Sequence, residues 1–158
     1  GHSVSLMSLG VGFKERLSGR ENILLSGLLL GFSESQIQDN VDKIIEFSEL
    51  GSFIDKPVRT YSSGMYSKLA FSITAFLETD IMLVDEVLSV GDGAFQNKSK
   101  AKMRELIRSN NRTVIIVSHD TKTLSELCDT IMWMHDGKVK EIGNPSEVLK
   151  HYKEFMAG

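Results

Sequence analysis

A run of apolar residues that ends in two acidic ones constrains the fold of this chain most. Residues 81–86 read IMLVDE, so four apolar residues are followed directly by Asp85 and Glu86. Short continuous apolar runs are typical of strands buried in a parallel sheet. Ligands of such sheets bind at the carboxyl ends of the strands. The acidic pair is therefore a candidate site, and the alternative is a solvated acidic turn after a strand.

The sequence after this strand alternates between strand and helix patterns. Apolar residues at helical spacing predict a helix over 94–108, and TVIIV at 113–117 predicts a second buried strand. A short helix follows, then a hairpin over 131–142 with an Asp-Gly turn and a last helix over 145–152. This alternation predicts an α/β fold with a mainly parallel sheet and right-handed crossovers.

The first half of the chain is helical after a short predicted strand over 4–9. Two capping boxes, one at 18–21 and one at 33–36, predict helices that end by Gly31 and at Gly51. A third helix is predicted after the glycine-bearing turn YSSGM.

Composition disfavours nucleic-acid binding and excludes a membrane-spanning segment and an internal disulfide. The chain has 158 residues and a net charge of −3, which gives no broad basic face for nucleic acid. Its longest mostly apolar run, residues 23–32, is shorter than the ~20 residues that span a bilayer. Cys128 is the only cysteine, which excludes an internal disulfide. We interpret it as a small core residue rather than a nucleophile.

The residue types at the strand ends suit nucleotide hydrolysis. Asp85 would hold Mg²⁺, and Glu86 would polarise the water that attacks a γ-phosphate. His119 ends the second predicted strand, where an imidazole can contact a transferring phosphoryl group. The alternative is that His119 caps the helix that follows it and does not contact a phosphate.

The YSSGM turn at 61–65 offers a second anion-binding element. Ser62 and Ser63 supply hydroxyls, and Gly64 permits close approach of backbone N–H groups. The helix that follows directs its positive end at the same place. The alternative is a simple N-cap, since serine and glycine are common before helices.

Three motifs together resemble those of ABC-type ATPases. YSSGM at 61–65 is similar to the signature motif, IMLVDEVLSVGD at 81–92 to Walker B with the D-loop, and VSHD at 117–120 to the switch histidine. The resemblance covers nearly the whole chain and is strongest to the polysaccharide exporters, which include teichoic acid and O-antigen export proteins. The segments that carry this closer resemblance are GVGFKERLSGRENILLSGLLLGFS, SELGSFIDKPVRTYSSGMYSKLAFS and DEVLSVGDGAFQNKS.

The resemblance implies a fold and a domain organisation. The fold would be a partial P-loop NTPase core with a mainly parallel sheet and an α-helical signature subdomain. Residues 1–17 would be a residual core strand with a Q-loop-like segment, although Leu9 or Gly10 stands where many relatives carry glutamine. Residues 18–78 would be the helical subdomain ending in the signature motif, and residues 79–158 the C-terminal part of the core.

Roles for the acidic residues and the histidine also follow from the resemblance. It implies that Asp85 binds Mg²⁺, that Glu86 is the general base and that His119 contacts the γ-phosphate of ATP. Asp92 would lie in the D-loop at a dimer seam.

The signature motif implies a composite site. Ser62 and Gly64 would bind the γ-phosphate held by the opposite subunit. Ser63 would also bind this nucleotide. Two subunits would therefore sandwich two ATP molecules, which implies a homodimer.

The function implied is that of an ATP-binding subunit at the cytoplasmic face of the bacterial membrane, coupled to a membrane-spanning permease. It would use ATP and Mg²⁺ to export a polysaccharide, for which we favour teichoic acid. Alternatives are O-antigen export, a soluble non-transport ABC-type ATPase and a non-catalytic dimerisation module.

Two further expectations concern the rest of the protein. No G-x-x-x-x-G-K-S/T motif occurs in the chain, so we expect a polypeptide cut N-terminally and inactive alone. Exposed apolar residues of the helical subdomain would dock the permease, or alternatively belong to its core. These residues are Phe13, Leu28, Leu29 and Phe32.

Overall fold

The fold was described from a computed structural model, which covers the side chains of residues 12–85, 92–109 and 112–157 and the backbone of residues 4–7. By its internal contacts the chain forms two compact units, residues 1–115 and 116–158, and each is described by itself. The three-way division at residues 17/18 and 78/79 stays a prediction. The α-helices and β-strands of the described residues, in chain order, are β1 (Val4–Met7), α1 (Gly19–Leu29), α2 (Glu34–Ser48), α3 (Ser63–Phe76), β2 (Ile81–Asp85), α4 (Gly93–Arg108), β3 (Thr113–Val117), α5 (Thr121–Leu127), β4 (Ile131–His135), β5 (Lys138–Gly143) and α6 (Pro145–Ala157).

The sheet of the first unit follows the pattern that the apolar runs predict. β1 and β2 pair in parallel from Val4 opposite Ile81 to Met7 opposite Val84, and the strand order is β1-β2-β3. β2 is the middle strand, and its Met82 and Val84 are buried. The predicted strand over 81–84 is confirmed and extends to Asp85.

The burial predicted for the strand over 113–117 is wrong. Its bounds are correct, but the side chains of Ile115 and Val117 are 48% and 61% exposed. β3 is the last strand in the order β1-β2-β3, so it has a neighbouring strand on one side only within the part of the chain that the structure describes. Exposed side chains alternate along β3 with half-buried ones, so the described residues leave one face of the strand uncovered, and a continuous apolar run does not show this.

Helices α1, α2 and α3 pack around one apolar core. Both capping boxes are present, since Ser18 and Ser33 each accept a hydrogen bond from the backbone of the residue three positions later. α2 ends at Ser48 rather than at Gly51 as predicted. The residue that closes it is Glu49, which has a left-handed backbone with φ 57°. The buried side chains of this core are Ile23, Ile37, Val41, Ile44, Leu50, Ile54, Leu69, Ile73 and Leu77.

Gly27 sets the distance between α1 and α2. A Cβ atom on this residue would lie 2.5 Å from Cγ1 of Ile37 and 3.2 Å from Cδ1 of Leu77. We expect Gly27→Ala to lower the free energy of unfolding by about 1–2 kcal/mol, because overpacking outweighs the better helix propensity of alanine. Urea denaturation of the chain measures this change.

Gly93→Ala is the matched control for Gly27→Ala, since, apart from its chain neighbours and its own helix backbone, none of the described atoms lies within 4 Å of the position of its Cβ. The control should leave the chain equally stable or slightly more so. Equal midpoints of urea denaturation for the two variants would show that a Cβ atom at residue 27 does not lower the stability of the chain.

The second unit is a β-hairpin covered by α6. Asp136 and Gly137 connect β4 to β5 with φ 49° and 71°, as the predicted Asp-Gly turn requires. α6 extends to Ala157, beyond the predicted end at residue 152. The added turn places Phe155 against the ring of Trp133, with centroids 5.2 Å apart.

Cys128 is half-buried beside the apolar residues of this hairpin and α6. Burial and the neighbouring Asp129 raise the pKa of its thiol, which fits a packing role rather than a nucleophile. Among the described helices, none is both long and apolar enough to cross a membrane.

Candidate functional site

The signature turn opens α3 through a serine cap. Ser62 has an extended backbone, and its Oγ accepts a hydrogen bond of 3.2 Å from the backbone N–H of Met65. Because the oxygen is the acceptor in this bond, the hydroxyl proton of Ser62 can be donated to an anion. Ser62 and Ser63 are exposed at the positive end of a helix of 14 residues. The simple N-cap is therefore present, and it is compatible with anion binding.

Gly64 is not explained by packing within the described chain. A Cβ atom there would meet only Oγ of Ser62, at the ordinary contact distance of 3.8 Å. The residue lies in the first turn of α3, where an L-residue fits the backbone. The missing side chain leaves room for another molecule to approach the helix N-terminus.

Tyr61 anchors the turn from the other side, through a contact that no sequence pattern predicts. Its hydroxyl donates a hydrogen bond of 2.7 Å to the carbonyl oxygen of Phe53, and its ring packs against the helical core. Burial raises the pKa of this hydroxyl, so it remains a donor at neutral pH. A leucine in place of Tyr61 could pack against the helical core but could not donate the hydrogen bond to Phe53.

Asp85 lies where the sequence places it, exposed at the carboxyl end of β2. Glu86 follows it and lies outside the described residues, as do residues 87–91. Mg²⁺ in nucleotide sites is usually held by one or two carboxylates together with phosphates and water. The Asp85 carboxylate fits that requirement, and no cluster of three or more metal-ligating side chains occurs in the part of the chain described.

Asp92 has two structural tasks. Its Oδ1 caps α4 by accepting a hydrogen bond of 3.0 Å from the backbone N–H of Phe95, and its Oδ2 lies 2.8 Å from Nζ of Lys68. The bond from Lys68, followed by the bond from the Phe95 backbone, lowers the pKa of Asp92 to about 2. Asp92 is therefore ionised at physiological pH and attached to α3, the helix that begins at the signature turn.

Lys68 belongs to a charged network that the sequence did not reveal. Its Nζ lies 3.7 Å from Oε2 of Glu49, whose Oε1 is 2.7 Å from Nζ of Lys98. The hydrogen bond from Lys98 lowers the pKa of Glu49, although the nearby charge of Asp92 acts in the opposite direction. These four residues, which we call the charged network, join the end of α2 to α3 and α4.

His119 belongs to the second unit and is exposed between β3 and α5. The alternative that it caps the next helix is wrong, because Asp120 is the cap. The carboxylate of Asp120 accepts hydrogen bonds from the backbone N–H groups of Lys122 and Thr123. The imidazole of His119 is thus not required for this cap, and its contact with a phosphate stays a prediction.

The structure divides the residues proposed to dock a partner into two groups. Leu28 and Leu29 on α1 are 44% and 66% exposed. Phe13 and Phe32 are half-buried and pack against the helical core, as the alternative of a core position predicts for them. The ring of Phe13 also contacts that of Tyr66, with centroids 4.9 Å apart.

The chain is similar in sequence to ATP-binding proteins of polysaccharide export, although no protein-family profile matches it. It is 49% identical to the teichoic acids export ATP-binding protein TagH of Lactococcus lactis, over 97% of this chain and 33% of that protein. It is 46% and 43% identical to the O-antigen export system ATP-binding proteins RfbB of Myxococcus xanthus and Klebsiella pneumoniae, over 99% of this chain. The chain spans about a third of the length of the first two relatives and 63% of the third.

Two solved structures have the same fold at 18% sequence identity. One is the ATP-binding subunit of an ABC transporter, matched with a TM-score of 0.81 over 96% of this chain and 62% of that one. The other is a dimeric ATP-binding cassette in a post-hydrolysis state bound to ADP and Pi, matched with a TM-score of 0.72 over 91% of this chain and 63% of that one. The predicted partial core of a P-loop NTPase is thereby confirmed.

Proposed function

We propose that this chain belongs to the family of ABC-type ATP-binding proteins and is part of the ATP-binding subunit of a bacterial polysaccharide exporter. The observation that carries the proposal is the identity of 43–49% to export ATP-binding proteins over 97% or more of the chain. Of the polymers in their names, teichoic acid stays our preference, with O-antigen as the alternative.

The residues at the strand ends would act on ATP bound with Mg²⁺. Bound Mg²⁺ neutralises phosphate charge and orients the terminal phosphate for attack. Asp85 would be a ligand of the ion, directly or through water, since it presents an exposed carboxylate at the end of β2. Glu86 would accept a proton from the attacking water, and His119 would donate a hydrogen bond to the γ-phosphate.

The signature turn would serve a nucleotide that is held mainly by a second copy of the subunit. Ser62 has its hydroxyl proton available for donation, Ser63 is exposed beside it, and Gly64 leaves the helix N-terminus open. Because two copies would form the site together, one copy alone does not need to contain a complete cleft for ATP. The dimeric state of one fold neighbour supports this arrangement.

A membrane-spanning permease would complete the exporter at the cytoplasmic face of the membrane. The exposed leucines of α1, Leu28 and Leu29, are the apolar residues we propose for that contact. They lie on α1, whose Ile23 shares the helical core with Leu69 and Ile73 of α3, so movement of α3 with the nucleotide would be transmitted to α1 through packed side chains.

Calorimetric titration with Mg-ATP tests the proposal. We expect saturable heat for the full-length protein and none for the 158-residue chain at micromolar concentration, because the chain has no P-loop to neutralise the β- and γ-phosphates. ATP turnover by the chain alone would contradict the expected inactivity. Failure of the full-length protein to bind ATP would favour a non-catalytic dimerisation module.

A further inference from the structure

One hydroxyl group joins the signature turn to two other elements of the first unit. Tyr61 directly precedes Ser62, the residue that caps α3. Its hydroxyl donates a hydrogen bond of 2.7 Å to the carbonyl oxygen of Phe53, and the backbone N–H of Gly19 is hydrogen-bonded to the hydroxyl oxygen. Gly19 is the first residue of α1, and Phe53 lies in a short 3₁₀ helix over Gly51–Asp55. The side chain of Tyr61 therefore links the cap of α3 to the start of α1.

The lack of a side chain at Gly19 permits this close approach. A Cβ atom there would overlap the hydroxyl oxygen of Tyr61 and would lie 2.9 Å from Cδ1 and 3.0 Å from the carbonyl oxygen of Ile54. Gly19 is buried in the first turn of α1, where an L-residue fits the backbone. The glycine is therefore explained by the contacts of the α1 N-terminus with Tyr61 and Ile54, and not by its own backbone conformation.

The segment before the signature turn is attached to the same end of α1. The backbone N–H groups of Val58 and Arg59 each donate a hydrogen bond of 2.9 Å to a carbonyl oxygen within residues 14–18. The buried amide of Asn22, in the first turn of α1, holds residues 14–18 through four hydrogen bonds of 2.7–3.2 Å. These backbone bonds end at Arg59, so the hydroxyl of Tyr61 makes the hydrogen bond to α1 that lies nearest to the cap of α3.

We propose that Tyr61 is a positioning residue that, through its hydroxyl, holds Ser62 in place relative to the start of α1. This inference rests on the proposed function, in which Ser62 donates a hydrogen bond to the γ-phosphate held by the other copy. Tyr61 does not touch the nucleotide in this proposal, so it acts only through the position of the Ser62 hydroxyl. Misplacing a catalytic group by about 1 Å can cost about 10²-fold in rate, and we expect loss of the Tyr61 hydroxyl to lower kcat by about 10-fold.

Steady-state ATP hydrolysis by the full-length protein tests this role in the variant Tyr61→Phe. Phenylalanine keeps the ring against the helical core and removes only the hydroxyl, so the fold should persist. We expect the decrease in kcat while calorimetric titration with Mg-ATP still gives the wild-type number of sites and affinity, because the other copy would hold most of each nucleotide. A decrease in the number of sites that matches the decrease in rate would indicate a merely structural role and would overturn the inference.

Thr60→Val is the matched control. Thr60 is adjacent to Tyr61, and its hydroxyl also donates a hydrogen bond of 2.7 Å to a backbone carbonyl oxygen, that of Pro57. This bond stays within the segment before the signature turn and does not reach α1. Valine has the shape of threonine, so the control loses a hydrogen bond of the same length and should keep the wild-type kcat. An equal loss of rate in both variants would overturn the proposal.

A double-mutant cycle with Ser62→Ala assigns the effect to the serine. If Tyr61 acts through Ser62, Tyr61→Phe should cost little further rate in a protein that already lacks the Ser62 hydroxyl. Multiplicative losses would contradict the mechanism. A wild-type protein without ATP turnover would overturn the proposed function together with this inference, whereas an active wild type with an equally active Tyr61→Phe would overturn the role of Tyr61 alone.

Discussion

Glu86→Gln in the full-length protein is expected to abolish ATP turnover while ATP binding persists. An amide cannot accept the proton of the attacking water, and loss of a general base typically costs about 10²–10⁴-fold in rate. Glutamine has the size of glutamate, so the site should still close on ATP. The variant should therefore accumulate as an ATP-bound dimer, measured by turnover assays and by light scattering after size-exclusion chromatography.

Glu105→Gln is a suitable control for Glu86→Gln. Its carboxylate is exposed on α4 and contacts only a neighbouring lysine among the ion pairs of the described residues, so turnover should stay at the wild-type level. Unchanged hydrolysis in Glu86→Gln would remove Glu86 from the role of base. Loss of turnover without a trapped dimer would argue against the two-copy site.

Gly64→Asp is expected to separate folding from activity in the full-length protein. The added Cβ has room, and a negative charge in the first turn of α3 should raise the free energy of unfolding by about 0.3–1 kcal/mol. The same charge would face the γ-phosphate of ATP where backbone donors are needed. Losing such donors costs about 10²–10³-fold, so turnover should fall by at least about 10²-fold. Urea denaturation and ATP hydrolysis measure the two effects.

Ser35→Asp adds the same charge at the matching position of another helix. Ser35 is exposed and is the second residue of α2, as Gly64 is of α3. This control should gain similar stability and keep full turnover. If Gly64→Asp also kept full turnover, the N-terminus of α3 would not be near a phosphate.

Local patterns predicted the elements well because their causes lie within a few residues. The capping boxes at Ser18 and Ser33 and the turn at Asp136 depend on neighbours no more than three positions away, and all three are present. The exposure of β3 was missed because the burial of a strand's side chains depends on which elements cover each face of the sheet, and a local pattern does not contain this information. The end of α2 was missed because Glu49, rather than a glycine, adopts the left-handed conformation next to Lys98.

The candidate site was predictable in part for the same reason. Asp85 and His119 could be placed after their strands from apolar runs, and motif residues carried the resemblance to ABC-type ATPases. Lys68 and Asp92 are 24 positions apart, and no spacing rule connects a lysine inside a helix with the cap of the next one. The roles of Glu86, His119 and the serines stay predictions.

The open space at Gly64 has a consequence for large-scale mutagenesis. A screen that scores cellular abundance should rate substitutions at Gly64 as harmless and those at Gly27 as damaging, because only the latter glycine is crowded by its own chain. Under the proposed function, a screen that scores exported polymer at the cell surface should rate both as damaging. Positions whose scores differ between the two screens would be residues whose side chains are restricted by contact with another molecule and not by the packing of their own chain.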